Sequence, residues 1–328
     1  MKDVELKMLE RAKALLESGE VARVIGWKKG EFYFDPTPAS FETVEELEGF
    51  VYNAFCGANL SKYLIQMSKK EGKTAIFLKP CDSYSFNQLV KEYRVKRENI
   101  YVIAIECQGK LDIEKIKAKG ITAVTEVEED GETVKVSSLY GEETIAKEEV
   151  LLNKCASCKS KTHQAKDEEI ILHEMPAPAE GRMDEVEKLE AMTEAERFAF
   201  WREQLSKCIR CNACRNVCPA CSCVKCVFDN PASGIAAKAN DSEFEESMFH
   251  LIRAFHVAGR CTDCGECTRV CPQNIPLQLL NRKFIKDIDG LYGEYQAGET
   301  AEGKTPLTSY TEEDTEPNDV FNGEAKYC

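Results

Sequence analysis

Two short stretches hold the residues most able to do chemistry in this chain. Residues 208–219 read CIRCNACRNVCP and residues 261–272 read CTDCGECTRVCP, identical at six of twelve positions, every cysteine and the closing proline among them. The shared spacing, C-x2-C-x2-C-x3-C-P, is the ligand run of a pair of [4Fe-4S] clusters, in which three thiolates of one run and the distant fourth of the other hold each cube. The short intervals let neighbouring thiolates converge, and the proline ends the local turn so that the fourth points away. This spacing assigns Cys208, Cys211, Cys214 and Cys271 to one cluster and Cys261, Cys264, Cys267 and Cys218 to the other. Zinc is the competing reading, but zinc sites pair one C-x2-C with a second across a loop, whereas here a four-cysteine run recurs with its proline.

More thiols surround these. Cys221, Cys223 and Cys226 follow directly in PACSCVKC. They are either three ligands of a further cluster whose fourth comes from elsewhere, for example Cys56, or small buried side chains beside the clusters. Cys81 follows the apolar run AIFL (75–78), and Cys107 follows YVIAI (101–105). If those runs are parallel neighbouring strands, both cysteines stand at the carboxyl edge of one sheet, where α/β folds place their sites. Cys155 and Cys158, in CASC, could reach the same edge and complete the ligands of a third [4Fe-4S] cluster; four unrelated buried cysteines are the alternative. Cys328, near the end of an acidic stretch, reads as a free thiol.

The elements that must position these residues differ along the chain. Residues 21–34 read as two short strands about a Lys-Lys-Gly turn, and residues 42–72 as mostly helical. A helical segment, FNQLVKEYRV, separates the runs at 75–78 and 101–105, which makes a strand–helix–strand crossover with parallel strands. EMPAPAEGR (174–182) breaks that pattern with two prolines and a glycine. The expected organisation is an α/β domain over 1–173, an all-α helical dicluster ferredoxin domain over 183–296 and an acidic extended tail over 297–328. Thr193 and Glu196 form a capping-box pair opening a helix with Phe198, Trp201 and Leu205 on one face. Residues 242–259 read as a helix with Phe244, Met248, Leu251 and Phe255 on one face. His250 and His256 lie on it and either tune a cluster or simply pack.

Composition bounds the partners. With 328 residues and a net charge of -14, the chain offers no basic stripe for nucleic acid or an anionic membrane. Its N-terminus reads as a charged amphipathic helix closed by Gly19, not as a signal peptide, and no apolar run is long enough to span a bilayer. The expected place is the cytoplasm, where 17 cysteines favour metal-held thiolates over disulfides.

GANLSKYLIQMSKKEGKTAIFLKPCD, then YVIAIEC, then KCASC, together covering about residues 55–160, resemble the beta subunit of coenzyme F-420-reducing hydrogenases and related dehydrogenases. The resemblance implies that Cys81, Cys107, Cys155 and Cys158 are cluster ligands. It also implies FAD and a deazaflavin, although the glycine-rich segment near the family's N-terminus and the small-residue stretch after its C-x2-C pair are not matched here. The interval between the two cysteine runs is similar to the helical ferredoxin modules of heterodisulfide reductase and succinate dehydrogenase iron–sulfur subunits. Two functions follow. One is an electron-transfer subunit of an anaerobic multi-subunit oxidoreductase, linking partner catalytic subunits such as a hydrogenase, a formate or aldehyde oxidoreductase, or a heterodisulfide-reductase-like flavoprotein, with its acidic tail docking on a partner. The other is an FAD-containing subunit that exchanges hydride with a deazaflavin or nicotinamide and relays electrons to its clusters. A structural metal protein without redox chemistry explains the repeat poorly.

Overall fold

A computed structural model describes residues 1–230 and 243–308. Short apolar, β-branched runs form the central sheet: β1 (Arg23–Lys28), β2 (Thr37–Phe41), β3 (Thr74–Leu78) and β4 (Ile100–Ile105). β3 is buried along its whole length, as expected of a strand covered on both faces. β1, β3 and β4 pair in parallel, with Leu78 opposite Ala104 at the carboxyl edge, and β2 is an antiparallel edge strand. The helix Pro80–Lys91 makes the expected crossover, with Pro80 in its first turn, where proline's missing N–H costs nothing.

A second, antiparallel sheet of β5 (Val124–Asp130), β6 (Thr133–Ser138) and β7 (Gly141–Ala146) was not expected from the sequence. Its signal lay in the alternation of TEVEED and TVKVSS about Gly131. β8 (Glu168–Ile170) then joins the first sheet parallel to β4. From Asp184 onward the described chain is helical: Asp184–Ala191, Glu194–Ser206, Glu243–Val257 and Leu277–Tyr292 are the main helices.

Several local expectations are corrected. The second strand of the 21–34 pair lies at 37–41, because residues 30–35 form a tight turn in which a Cβ on Gly30 would sit 1.9 Å from the Asp35 carbonyl oxygen. Residues 42–72 hold only short turns, at Glu45–Gly49, Ser61–Tyr63 and Leu64–Met67. There Asn53 and Asn59 accept hydrogen bonds from the backbone two residues on (Phe55 and Ser61, both 2.9 Å), and these Asx turns compete with helix.

The Thr193–Glu196 capping box is present, with Leu205 buried, but Phe198 is 66% exposed. On Glu243–Val257 the named apolar face is the exposed one (Phe244 72%, Phe255 63%), while Phe249, Arg253, Ala254 and Val257 are buried. That helix has apolar residues on two sides, and packing against the cysteine loops selects the one containing Phe249. The start of the tail packs against the first domain: Ala297 is buried, and Gly298 passes so close to the Tyr84 carbonyl that a side chain there would clash. Cys328 and the rest of the tail from 309 lie outside the described residues.

Candidate metal centres

The two cysteine runs repeat in backbone as well as in sequence. Arg210 and Asn212 have φ of 56° and 61°, and their counterparts Asp263 and Gly265 have 53° and 67°. These left-handed residues curl each loop back on itself between its first three cysteines, before the short helices Ala213–Val217 and Glu266–Arg269. Cys208, Cys211, Cys214 and Cys271 line one narrow cavity, walled by Phe249, His250, Ile275 and Leu277. Cys218 lies among Cys261, Cys264 and Cys267: burial foremost, together with the charge of Cys218, raises the Cys264 thiol to about 11 and Cys267 to about 12. Cys218 itself is held below the usual thiol range, first by a hydrogen bond from the Cys221 thiol and further by Arg253.

The other four predicted ligands also meet. Cys81 sits in the first turn after β3, Cys107 just beyond β4, and both line a cavity with Cys155 and Cys158. His163 fastens the strand ends, its Nε2–H donating to the Leu78 and Ile105 carbonyls, each at 3.1 Å. Lys154, Lys159 and Lys161 line the same cavity. Burial alone would lower Lys161, but the charges of Cys107, Cys158, Cys155 and Cys81 together raise it. Lys159 is pushed down to about 8, chiefly by burial, and its ammonium stacks on the Tyr84 ring at 3.9 Å. The lysines were legible as KCASCKSK, although nothing local says that they face inward.

Cys264 lines this cavity too, so the second run of the repeat forms part of its wall. Glu266, fully buried, secures the junction. It pairs with Lys154, accepts two 2.8 Å hydrogen bonds from Arg269 and takes another from the Asn59 backbone N–H at 3.1 Å. Lys154 also donates to the Gly57 carbonyl at 2.7 Å. Despite burial, Lys154 and Arg269 hold the Glu266 carboxyl far below the usual carboxylate range.

Cys221, Cys223 and Cys226 line a separate cavity of about 350 Å³ with Lys62, Arg215, Arg253, His256 and Arg260. Cys56 does not reach it, which corrects the expectation of a fourth ligand from that position. Cys56 is fully buried in the sheet core, its thiol against Val51 and Asn53 and pushed up to about 11 by burial.

The cavities suit clusters better than single ions. All sixteen described cysteines are free, yet among the described residues no three Cys, His, Asp or Glu side chains draw together tightly enough for one metal ion. Four thiols spaced around a void are what a cube of iron and sulfide requires. His250 supports that fit: it is buried on the wall of the Cys208 cavity, neither ring nitrogen has a partner among the described residues, and burial foremost lowers it to about 3, keeping it neutral. A sulfide in that cavity would accept the N–H that is otherwise orphaned.

The acidic cavity near the N-terminus is a poor fit for a flavin dinucleotide. This cavity, of about 1000 Å³, opens between the N-terminal helix Lys2–Glu17, the 29–36 loop, residues 51–54 and β5. Its charged lining is Asp3, Glu5, Glu31, Glu128, Glu129 and Asp130 against Lys2 and Lys29, with no glycine-rich helix start to receive a pyrophosphate.

Residues 204–275 match the model of the 4Fe-4S dicluster domain. The chain is similar to the F-420-dependent formate dehydrogenase subunit beta of Methanocaldococcus jannaschii, 23% identical over 85% of this chain and 88% of that one. It is also similar to the F-420-dependent formate dehydrogenase 1 subunit beta of Methanococcus maripaludis, 29% identical over 30% of this chain and 25% of that one. A chain of the F-420-reducing nickel–iron hydrogenase complex from Methanosarcina barkeri aligns over 62% of this chain and 90% of its own, with a TM-score of 0.41 and 11% identity. Among the described residues, no helix is long and apolar enough to cross a membrane.

Proposed function

We propose that this chain is the iron–sulfur electron-transfer subunit of an anaerobic, cytoplasmic, multi-subunit oxidoreductase, and that it conducts through three [4Fe-4S] clusters between partner catalytic subunits. Its likeness along most of its length to one F-420-dependent formate dehydrogenase beta subunit, together with a dicluster domain over residues 204–275, supports the role. One observation carries the three-cluster order: Cys264, from the dicluster repeat, lines the cavity of Cys81, Cys107, Cys155 and Cys158. The relay then runs from the Cys208 site through the Cys261 site to the Cys81 site. A cluster at each position accepts and passes on single electrons. The protein's part is to hold the thiolates, to exclude water with walls such as Phe249 and Leu277, and to compensate charge with Lys154, Lys159 and Lys161.

Iron, acid-labile sulfide and flavin, measured on the complex purified without oxygen, test this reading. Three clusters give at least about twelve irons per chain; about eight would confine the metal to the repeat and remove the third site. Flavin bound to this chain would favour the second reading, an FAD-containing beta subunit that exchanges hydride with a deazaflavin or nicotinamide, against the acidic lining of the large cavity.

Lys161 carries a further expectation. A cation beside a cluster stabilises the more negative, reduced form, so Lys161→Met lowers that cluster's midpoint potential, by on the order of 100 mV at an effective dielectric of about 20. An EPR-monitored redox titration reads the shift, and an unchanged potential would place the ammonium away from the cluster.

A further inference from the structure

The cavity of Cys221, Cys223 and Cys226 is not used by the relay just described, although it adjoins it: the Cys221 backbone N–H donates to the Cys218 carbonyl at 3.1 Å. Three cysteines within six residues, C-x-C-x2-C, face one void of about 350 Å³, and the imidazole of His256 is on its wall. The void is too wide, and its donors too far apart, for a single ion.

Its walls are cationic. Lys62, Arg215, Arg253 and Arg260 line it, with Asp229, paired to Arg215, as the one acidic lining residue among the described residues. Arg253 is 3% exposed, and its Nε has no partner among the described residues, an orphaned donor on the wall of a cavity lined by thiols. Lys62 donates to the Cys218 carbonyl at 3.0 Å and to that of Cys221, so it clamps the segment that carries the first of the three thiols. Thiolates and sulfides supply what this lining lacks: anionic acceptors for a buried guanidinium.

We propose that Cys221, Cys223 and Cys226 hold a further [4Fe-4S] cluster, with His256 at its fourth iron in place of a fourth cysteine. The inference rests on the electron-transfer reading and extends it with a branch next to the Cys218 ligand. A three-thiolate cube with an imidazole or an exchangeable ligand at one iron is distinct from the cysteine-only sites. This position would be the one open to exogenous ligands or to electron exchange with a partner at this surface, since Cys223 is exposed.

The test uses the oxygen-free native complex carrying Cys223→Ser, an exposed substitution, beside Cys81→Ser and His256→Ala. The wild type is expected to hold about sixteen irons per chain and Cys223→Ser about twelve, with the EPR signals of the remaining clusters unchanged. His256→Ala is expected to keep its iron and alter the signal of one cluster only. Equal iron in wild type and Cys223→Ser would overturn the fourth site, as would loss of zinc instead of iron. If Cys81→Ser also leaves the iron unchanged, the three-cluster reading fails separately.

Discussion

Cys264→Ser is expected to abolish electron transfer through the complex while leaving each partner's own dye-linked activity intact. In the proposed relay Cys264 stands at the junction, a cysteine of the dicluster repeat that is also part of the wall of the Cys81 cavity. Even outer-shell changes at metal sites typically cost about 10–100-fold in affinity or activity, and losing a ligand at the middle position costs at least the upper figure. Physiological transfer should therefore fall more than about 100-fold, with about four irons lost per chain. Steady-state assays with the natural acceptor and with an artificial dye separate the outcomes. Retained physiological transfer would show that electrons bypass this position, and loss of the partner's dye-linked activity would show that the residue serves assembly instead.

Glu266→Ala should produce the largest loss of stability. The carboxylate is fully buried between two cations, Lys154 and Arg269, and the Asn59 N–H. Removing it leaves those charges buried without their partner, which costs about 3–5 kcal/mol, because an unpaired buried ion loses solvation and gains nothing in return. Lys154→Met should cost less, since Glu266 keeps its two hydrogen bonds from Arg269. Thermal melting of the two variants gives the comparison, with a fall on the order of 10 °C expected for Glu266→Ala. Equal and small shifts would mean that the network is open to water. Because Glu266 ties residues 57–59 and Lys154 to the second cysteine loop, the same variant should loosen the Cys81 cavity from the repeat and lower iron occupancy at both.

Much of this was legible in the sequence where the determinants are local. The repeat announces itself because cysteines three and four positions apart must come from one tight loop, and the left-handed residues at 210, 212, 263 and 265 are the backbone form of that requirement. Cys81 and Cys107 could be placed together because parallel strands end on one edge, and Leu78 does lie opposite Ala104. The Thr193 cap was readable because three residues suffice to make it. Periodicity misled where both sides of a segment meet protein or where side chains satisfy backbone groups. The helix Glu243–Val257 carries apolar residues on two sides, so the moment of the pattern pointed at Phe244 and Phe255, which face outward. Residues 51–61 look helical by spacing, but their asparagines turn the chain instead.

By itself, the sequence determined which thiols belong to which loop and that two parallel strands present cysteines at a common edge, because ligand spacing and strand polarity are properties of short stretches. Tertiary structure alone decided that Cys264 reaches the Cys81 cavity, that three lysines face those thiols, that Glu266 bolts the two halves together and that Cys56 belongs to the sheet core. Each of these depends on residues tens to hundreds of positions apart meeting in a low-dielectric interior. There, burial fixes which charges must be paired, and only packing determines which partner is close enough to pair them.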